Sequence, residues 1–259
     1  ILATGNYARQ TGAMLGLVDP GDEVVVLEPY YDSYVAMIQI AGGVRRPVTL
    51  RAPDFRLDLG SMEAAISERT KLILLNTPHN PTGTVITRAE LEGVARLAIE
   101  HDLVVVTDEV YEHLVFDGLE HVPIATLPGM FERTLTLSSA GKSYSFTGWK
   151  VGWATGPADL AGALLGAKQW LTFTSGAPLQ HAVAAALGDE ATWPGELAAS
   201  LRERRDLLCD GLAALGLDVR RPEGTYFALT DIAPLGWRDG LEFCLALPGA
   251  EKLSQGFGR

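Results

Sequence analysis

Apolar residues occur along much of the chain in short continuous runs, and stretches with helical spacing separate these runs. The runs lie at 22–27, 71–75, 103–107 and 134–137. Apolar runs of this length, in which polar residues do not alternate, are typical of strands buried on both faces. Such strands alternating with helices predict an α/β fold, in which a mostly parallel central sheet lies between two helical layers.

The clearest helical stretch follows the second run. Apolar residues recur with helical spacing from Leu91 to Ile99, which predicts a helix over 88–101. Thr87 and Glu90 have the spacing of a capping box at its start.

The pattern changes in the last quarter of the chain. Residues 194–215 are predicted to form one long helix, and 218–221 and 225–230 are predicted to be strands on either side of a turn. We therefore divide the chain into a large domain, 1–192, and part of a small α+β domain, 193–259.

Composition narrows the class of protein. The formal net charge is −11 and no block of Lys or Arg is present, which argues against nucleic-acid binding. The two cysteines, Cys209 and Cys244, have no metal-ligand or disulfide-framework spacing. No apolar run approaches membrane length, and no basic leader is recognisable. We expect a soluble cytoplasmic protein that binds neither membrane nor nucleic acid.

Polar and aromatic side chains gather where the predicted strands end. Lysine and asparagine are scarce, with five and three copies, yet several fall at these ends. Because the carboxyl ends of parallel strands lie at one edge of a sheet, where ligands bind, we expect these groups to form one site. In chain order they are Tyr31, Asn76, Asn80, Asp108, Tyr111, Ser139, Lys142 and Lys150.

This set of groups matches one cofactor in kind. A carboxylate at a strand end can hold a pyridinium N–H, and an amide with a phenol can bind a phenolate oxygen. Hydroxyl, lysine and backbone N–H groups can hold a phosphate, and the turn Thr4-Gly5-Asn6 before a helical run can form a further anion cradle. A second lysine can form an imine, so the set indicates pyridoxal 5'-phosphate.

The chain also resembles a known family, the class I/II aminotransferases of the pyridoxal-phosphate fold-type-I superfamily. Asn-Pro-x-Gly, Asp-Glu-Val-Tyr and Ser-x-x-Lys-x7-Lys occur in the family's order. The chain is most similar to the branch of kynurenine/glutamine transaminases and succinyldiaminopimelate aminotransferases, which implies an aspartate aminotransferase-like fold. The matching stretches are LVDPGDEVVVLEPYYDSY, LILLNTPHNPTGTV, VVVTDEVYEHLVFDG, ERTLTLSSAGKSYSFTGWKVGWATGP and EGTYFALTDI.

The resemblance implies roles at the ring of the cofactor. Lys142 is expected to form the Schiff base and to carry the proton during transamination, and Asp108 is expected to pair with the pyridine nitrogen. Tyr111 and Asn80 are expected to contact the 3-oxygen, and Tyr31 is expected to stack on the ring. The implied reaction moves an amino group between an amino acid and a 2-oxo acid.

The resemblance also implies roles around the phosphate and the substrate. Gly5, Asn6, Ser139 and Lys150 are expected to hold the phosphate. The remaining implied positions are Tyr7 near the phosphate or substrate, Asn76 beside the ring or the substrate carboxylate, and Phe173 lining the partner subunit's pocket in a homodimer.

Three functions stay open at this point. The first is the aminotransferase, the second a C–S β-lyase using the same cofactor, and the third a cofactor-binding homologue with impaired catalysis. The third arises because the resemblance implies a chain truncated at both ends relative to the family, without its N-terminal arm and its carboxylate-clamp arginine. Arg259 is not assigned to that role, since its flanking sequence does not match.

Histidines are not expected to take part in the chemistry. His79 and His113 have no role in the family pattern, and we interpret them as structural polar residues. A metal site built from Glu112, His113 and His121 lacks a sensible ligand spacing, so we expect no metal.

Overall fold

The computed structural model describes residues 2–174, 176–188 and 192–249, with side chains described from residue 8 onward. Its strands follow the continuous apolar runs that the sequence contains. Each of the four predicted runs is a strand in the structure, shifted by a residue or two at its ends. The strands are β1 (Leu2–Thr4), β2 (Glu23–Glu28), β3 (Val44–Thr49), β4 (Thr70–Asn76), β5 (Val104–Asp108), β6 (Thr134–Ser139), β7 (Val151–Thr155), β8 (Val219–Arg220) and β9 (Leu229–Thr230).

Helices occupy most of the stretches between the strands. The predicted helix 88–101 and the predicted long helix 194–215 are both present within a residue of their expected bounds, and the capping box of Thr87 and Glu90 is formed. The helices are α1 (Gly5–Leu17), α2 (Ser33–Ile40), α3 (Leu59–Ala65), α4 (Arg88–Glu100), α5 (Ala140–Ser143), α6 (Ala158–Thr172), α7 (Ala177–Gly188), α8 (Trp193–Ala214) and α9 (Gly240–Ala246).

Within the described residues, seven strands form one sheet in the order β1-β7-β6-β5-β4-β2-β3. The pairings of β3, β2, β4, β5 and β6 are all parallel, and β7 runs antiparallel to both β6 and β1. The carboxyl ends of β2, β4, β5 and β6 therefore lie at the same edge, as the sequence predicts.

Both faces of the sheet are buried along β2, β4, β5 and β6, which explains why these four strands have continuous apolar sequences. Alternate residues of β2 and β4 point into two different cores. One core packs the sheet against α3 and α4, and the other packs it against α1, α2 and α6. The predicted three-layer α/β architecture is confirmed.

The segment after residue 192 contains α8 and a separate two-stranded sheet of β8 and β9. Leu197 and Leu201 of α8 pack against Tyr111 and Leu114, next to the carboxyl end of β5. The prediction of a strand over 225–230 is wrong for the first part of this range, because only Leu229–Thr230 forms a strand. Thr225 adopts a positive φ of 68°, which extended strands do not allow. The proposed boundary between two domains stays a prediction.

No helix among the described residues has both the length and the apolar character needed to cross a membrane.

Candidate active site

A cavity opens at the edge of the sheet where β2, β4, β5 and β6 end, and it encloses about 730 Å³ including the part open to solvent. The eight predicted site residues whose side chains are described all line it. This convergence follows from the parallel pairing of the strands, which places their carboxyl ends side by side. The lining residues are Tyr31, Tyr34, Asn76, Asn80, Asp108, Val110, Tyr111, Ser139, Gly141, Lys142, Thr147, Lys150, Val151 and Phe227.

Asp108, the last residue of β5, places a buried carboxylate in the cavity wall. Its Oδ2 accepts a hydrogen bond of 2.9 Å from the Tyr34 hydroxyl and another from the Gln10 amide. Burial, followed by the charge of Asp108, raises the pKa of Tyr34 well above its ordinary value, so Tyr34 stays a hydrogen-bond donor. The carboxylate is thus held in place by donors from α1 and α2.

Arg9 lies behind this carboxylate and is fully buried. Burial lowers the pKa of Arg9 to about 10, and the charge of Asp108 opposes this shift. A guanidinium with this pKa remains protonated at neutral pH. Its positive charge therefore favours the ionised form of Asp108.

Asn76 connects the ends of two neighbouring strands. Its side-chain amide donates to the backbone carbonyl of Asp108 at 2.8 Å, and its amide oxygen accepts from the backbone N–H of Asn80 at 2.7 Å. Asn76 lines the cavity as predicted, and these bonds also fix the loop that carries Asn80.

Lys142 is half-buried in the short helix α5, directly after β6. Its Nζ donates a hydrogen bond of 2.7 Å to the hydroxyl of Tyr226. The same nitrogen lies 5.7 Å from the ring centre of Tyr111 and 5.3 Å from that of Tyr226. Two aromatic faces and one hydroxyl thus surround the amine.

Hydroxyl and lysine groups form another part of the wall. Ser139 and Thr147 line it together with Lys150, which sits in the left-handed region at φ 57°. Thr147 donates to the carbonyl of Gly141 at 2.8 Å. A Cβ on Gly141 would come within 3.1 Å of the Cα of Thr147, so a larger residue would force this loop to move.

Gly5, Asn6 and Tyr7 lie in the first turn of α1, and their side chains fall outside the described residues. The backbone nevertheless shows where this turn lies relative to the cavity. Thr4 pairs with Val151, a residue that lines the cavity, so α1 begins next to the cavity. Backbone N–H groups at a helix start can bind an anion there.

Tyr31 lines the cavity and meets Tyr34 edge to face, with ring centres 5.7 Å apart. Phe173 does not line it: the residue caps the end of α6 with its side chain 83% exposed. The expected position of Phe173 in a partner's pocket stays a prediction.

Two histidines, His79 and His121, have hydrogen-bond partners in the structure. His79 is buried and its Nδ1 bonds to the Thr82 hydroxyl at 2.7 Å, while His121 bonds to the buried Glu109 at 2.8 Å. His113 is half exposed and lies 3.9 Å from Glu112. Among the described residues, no group of three or more metal-ligating side chains could hold an ion.

His79 predicts a pH dependence of stability. Burial lowers its pKa from 6.5 to about 4, so between these values the unfolded chain binds a proton that the folded chain does not. Stability is therefore retained above pH 6.5 and lost as the pH falls toward 4. We expect the His79 contribution to cost about 2 kcal/mol of unfolding free energy between pH 7 and pH 5.

Urea denaturation of wild type and His79→Gln at both pH values measures this contribution. The variant should lose about 2 kcal/mol less than wild type over the interval. His113→Gln is the matched control, because His113 is half exposed, and it should behave as wild type. Equal losses in wild type and His79→Gln would contradict the prediction.

Three residues that contact the predicted site residues were not predicted from the sequence: Gln10, Tyr34 and Tyr226. Tyr34 lies within the same aromatic stretch as Tyr31, but the sequence does not show which of its tyrosines faces Asp108. Gln10 is one of several polar residues in α1, and the sequence does not show which of them bonds to Asp108. Tyr226 comes from a segment far along the chain, and no local pattern relates it to Lys142.

The side chains present fit pyridoxal 5'-phosphate by their chemistry. The cavity offers a buried carboxylate, a lysine amine, an amide with a phenol, and a hydroxyl-lysine group. The cofactor presents a pyridine nitrogen, an aldehyde, a phenolic oxygen and a phosphate, and each has a suitable partner in that set. The residues concerned are Asp108, Lys142, Asn80, Tyr111, Ser139, Thr147 and Lys150.

Curated proteins similar to this chain are aminotransferases. The probable N-succinyldiaminopimelate aminotransferase of Mycobacterium tuberculosis is 50% identical over 251 residues, which cover 96% of this chain and 63% of that protein. Kynurenine–oxoglutarate transaminase 3 of Mus musculus is 42% identical over 253 residues, covering 91% and 56%. The chain thus spans about three-fifths of the length of these relatives.

Solved structures give the same result. The N-succinyldiaminopimelate aminotransferase of M. tuberculosis superimposes with a TM-score of 0.94 at 47% identity, covering 96% of this chain and 66% of that one. The aspartate aminotransferase of Thermus thermophilus with maleate gives 0.92 at 37%, covering 96% and 65%. The family model for aminotransferase class I and II matches residues 1–255. The chain therefore belongs to the class I and II aminotransferase family.

Proposed function

We propose that this chain is a pyridoxal-phosphate-dependent aminotransferase that moves an amino group between an amino acid and a 2-oxo acid. The family is pyridoxal-phosphate dependent, and the relatives described above are aminotransferases. The observation that carries the proposal is that one cavity holds both Lys142 and the buried carboxylate of Asp108. These are the two groups that such a cofactor requires from its protein.

The cofactor would be held by residues of several strand ends. Asp108 would pair with the pyridine nitrogen, and Tyr111 and Asn80 would bind the 3-oxygen. Tyr31 would cover one face of the ring. The phosphate would be held by Ser139, Lys150 and the start of α1 at Gly5 and Asn6.

Bound pyridoxal phosphate supplies an electron sink that makes the Cα proton of an amino acid acidic. Lys142 would hold the cofactor through its amine. Once an amino acid takes that place, Nζ of Lys142 would accept the Cα proton and return it at the end of the transfer. Asp108 would face the pyridine nitrogen and favour its protonated form, and the hydrogen bonds from Tyr34 and Gln10 hold the carboxylate in position for this.

The substrate class is proposed from the relatives alone. Their names point to succinyldiaminopimelate, kynurenine and, for a protein of Escherichia coli, methionine as amino donors. We propose a donor of this type, including glutamine, a 2-oxo acid acceptor, and a cytoplasmic role in amino-acid metabolism and biosynthesis.

We further propose a homodimer in which Phe173 lines the partner's pocket. Phe173 and Trp170 are the most exposed aromatic side chains at the end of α6, at 83% and 84%. Adjacent large aromatic residues with this exposure are typical of a surface covered by another subunit. Analytical ultracentrifugation of wild type and of Trp170→Ser would test this arrangement.

Turnover assays with the purified 259-residue chain test the proposed function. We expect added pyridoxal phosphate, 2-oxoglutarate and one of these amino donors to give glutamate and the matching 2-oxo acid. Release of ammonia and pyruvate from a cysteine S-conjugate, without consumption of 2-oxoglutarate, would replace the proposal with a C–S β-lyase. Cofactor binding without any turnover would indicate a catalytically impaired homologue.

A further inference from the structure

We propose that Tyr226 is a positioning residue for Lys142, and that its hydroxyl holds the lysine amine in place for proton transfer. The inference rests on the proposed function. Tyr226 belongs to the stretch EGTYFALTDI, and no role at the site was expected for it. It contacts Lys142 from a segment that is not part of the large sheet.

The contact between the two side chains is direct. Lys142 Nζ donates to the Tyr226 hydroxyl at 2.7 Å, a normal distance for a charge-assisted hydrogen bond. The Tyr111 hydroxyl lies 3.4 Å from the Tyr226 hydroxyl, and the two rings meet edge to face with centres 5.3 Å apart. Lys142, Tyr226 and Tyr111 therefore form one continuous group.

Tyr111 is a suitable neighbour for this arrangement. Burial, with a further contribution from the hydrogen bond to Tyr226, raises its pKa above the ordinary value of 10. Tyr111 therefore keeps its proton and can donate toward the Tyr226 oxygen. The Tyr226 oxygen can thus accept from both Tyr111 and Lys142.

The backbone before Tyr226 is anchored to the large sheet's loops. Glu223 N–H and Gly224 N–H both donate to the carbonyl of Gly83 at 2.9 Å. Thr225 N–H donates to the carbonyl of Leu114 at 2.9 Å, and its side chain is fully buried. These bonds join the segment to the loops after β4 and β5.

Two further features restrict movement of this segment. A Cβ on Gly224 would lie 2.7 Å from the carbonyl oxygen of Leu114, so only glycine allows this approach. The Glu223 carboxylate accepts from Val85 N–H at 2.8 Å and from the Arg56 guanidinium at 3.1 Å. The backbone that leads to Tyr226 is therefore held in place before any ligand binds, which favours a positioning role.

Tyr226→Phe is the direct test, because it keeps the ring and deletes only the hydroxyl. The first readout uses the protein without cofactor: the rate at which acetic anhydride modifies Lys142, measured by mass spectrometry against exposed Lys71. The hydrogen bond holds Nζ of Lys142 against the Tyr226 hydroxyl and beside two aromatic rings, where acetic anhydride reaches it less easily than it reaches a freely moving amine. We expect Lys142 to react about three- to tenfold faster in the variant, while Lys71 is unchanged.

The second readout is steady-state transamination. A positioning role predicts that kcat falls by about tenfold while KM stays within about twofold, because the hydroxyl acts on the lysine and not on substrate binding. Tyr30→Phe is the matched control: the Tyr30 hydroxyl bonds to Arg45, and Tyr30 does not line the cavity. The control should match wild type in both readouts.

Unchanged acylation of Lys142 in Tyr226→Phe would overturn the proposal, since the hydrogen bond would then be absent in solution. Faster acylation with an unchanged kcat would also overturn it, because the bond would then have no positioning effect. Failure of the proposed function gives a different result: wild type itself shows no turnover, while the acylation rates still decide whether Tyr226 holds Lys142.

Discussion

Lys142→Ala is expected to lower kcat/KM for transamination by about 10⁴-fold or more. In the proposed mechanism the variant loses both the covalent anchor for the cofactor and the base that moves the Cα proton, and general acid–base catalysis alone contributes about 10²- to 10⁴-fold. Lys150 lines the same cavity, but it lies directly before β7, whereas Lys142 lies in α5. The backbone of Lys150 is in the left-handed region. We therefore do not expect it to substitute for Lys142.

Steady-state assays of both proteins at saturating pyridoxal phosphate measure this loss. Lys71→Ala is the matched control, since Lys71 is an exposed lysine at the start of β4, away from the cavity. It should retain wild-type activity. A Lys142→Ala enzyme that keeps more than about one-hundredth of wild-type kcat/KM would show that Lys142 is not the reacting lysine.

Asp108→Asn is expected to lower kcat by about 10²- to 10³-fold, which is typical when one preorganised electrostatic partner of the transition state is removed. Asparagine keeps the size of the side chain and can still accept from Tyr34. It loses the negative charge that would keep the pyridine nitrogen protonated. Since Asp108 is buried, water cannot replace that charge.

This prediction is checked by kcat and by the affinity for pyridoxal phosphate. Asp102→Asn serves as the control, because Asp102 is 94% exposed and pairs only at the surface with Arg133. We expect near-normal folding of Asp108→Asn by circular dichroism, together with weaker cofactor binding. A folded Asp108→Asn protein with wild-type kcat would remove Asp108 from the proposed mechanism.

The sequence predicts much of the fold because its strands are buried on both faces. Continuous apolar runs identify β2, β4, β5 and β6, and parallel pairing then brings their polar ends together. For this reason the eight residues predicted for the site line one cavity, although the sequence does not show where any of their side chains point. Apolar runs do not show which of two adjacent carboxylates faces the cavity. In the structure Asp108 faces the cavity, whereas Glu109 pairs with His121.

Contacts between distant segments could not be predicted in the same way. A strand was expected from residue 225, yet Thr225 turns through a positive φ and bonds to the carbonyl of Leu114. This turn places Tyr226 beside Lys142, which lies 84 residues earlier in the sequence. Gln10 reaches Asp108 across 98 residues. Apolar periodicity reports which face of an element is buried, and it contains no information about which polar side chains meet there.

The absorbance spectrum of the purified chain with pyridoxal phosphate tests the central claim most directly. It is recorded for wild type and Lys142→Ala, before and after addition of glutamate, and borohydride reduction followed by mass spectrometry locates the attached cofactor. We predict a visible band in wild type, attachment at Lys142, and loss of the band with glutamate as the cofactor takes up the amino group. Lys142→Ala should show no attachment at residue 142. A wild-type chain that forms no visible band, or a band that glutamate leaves unchanged, would contradict the account.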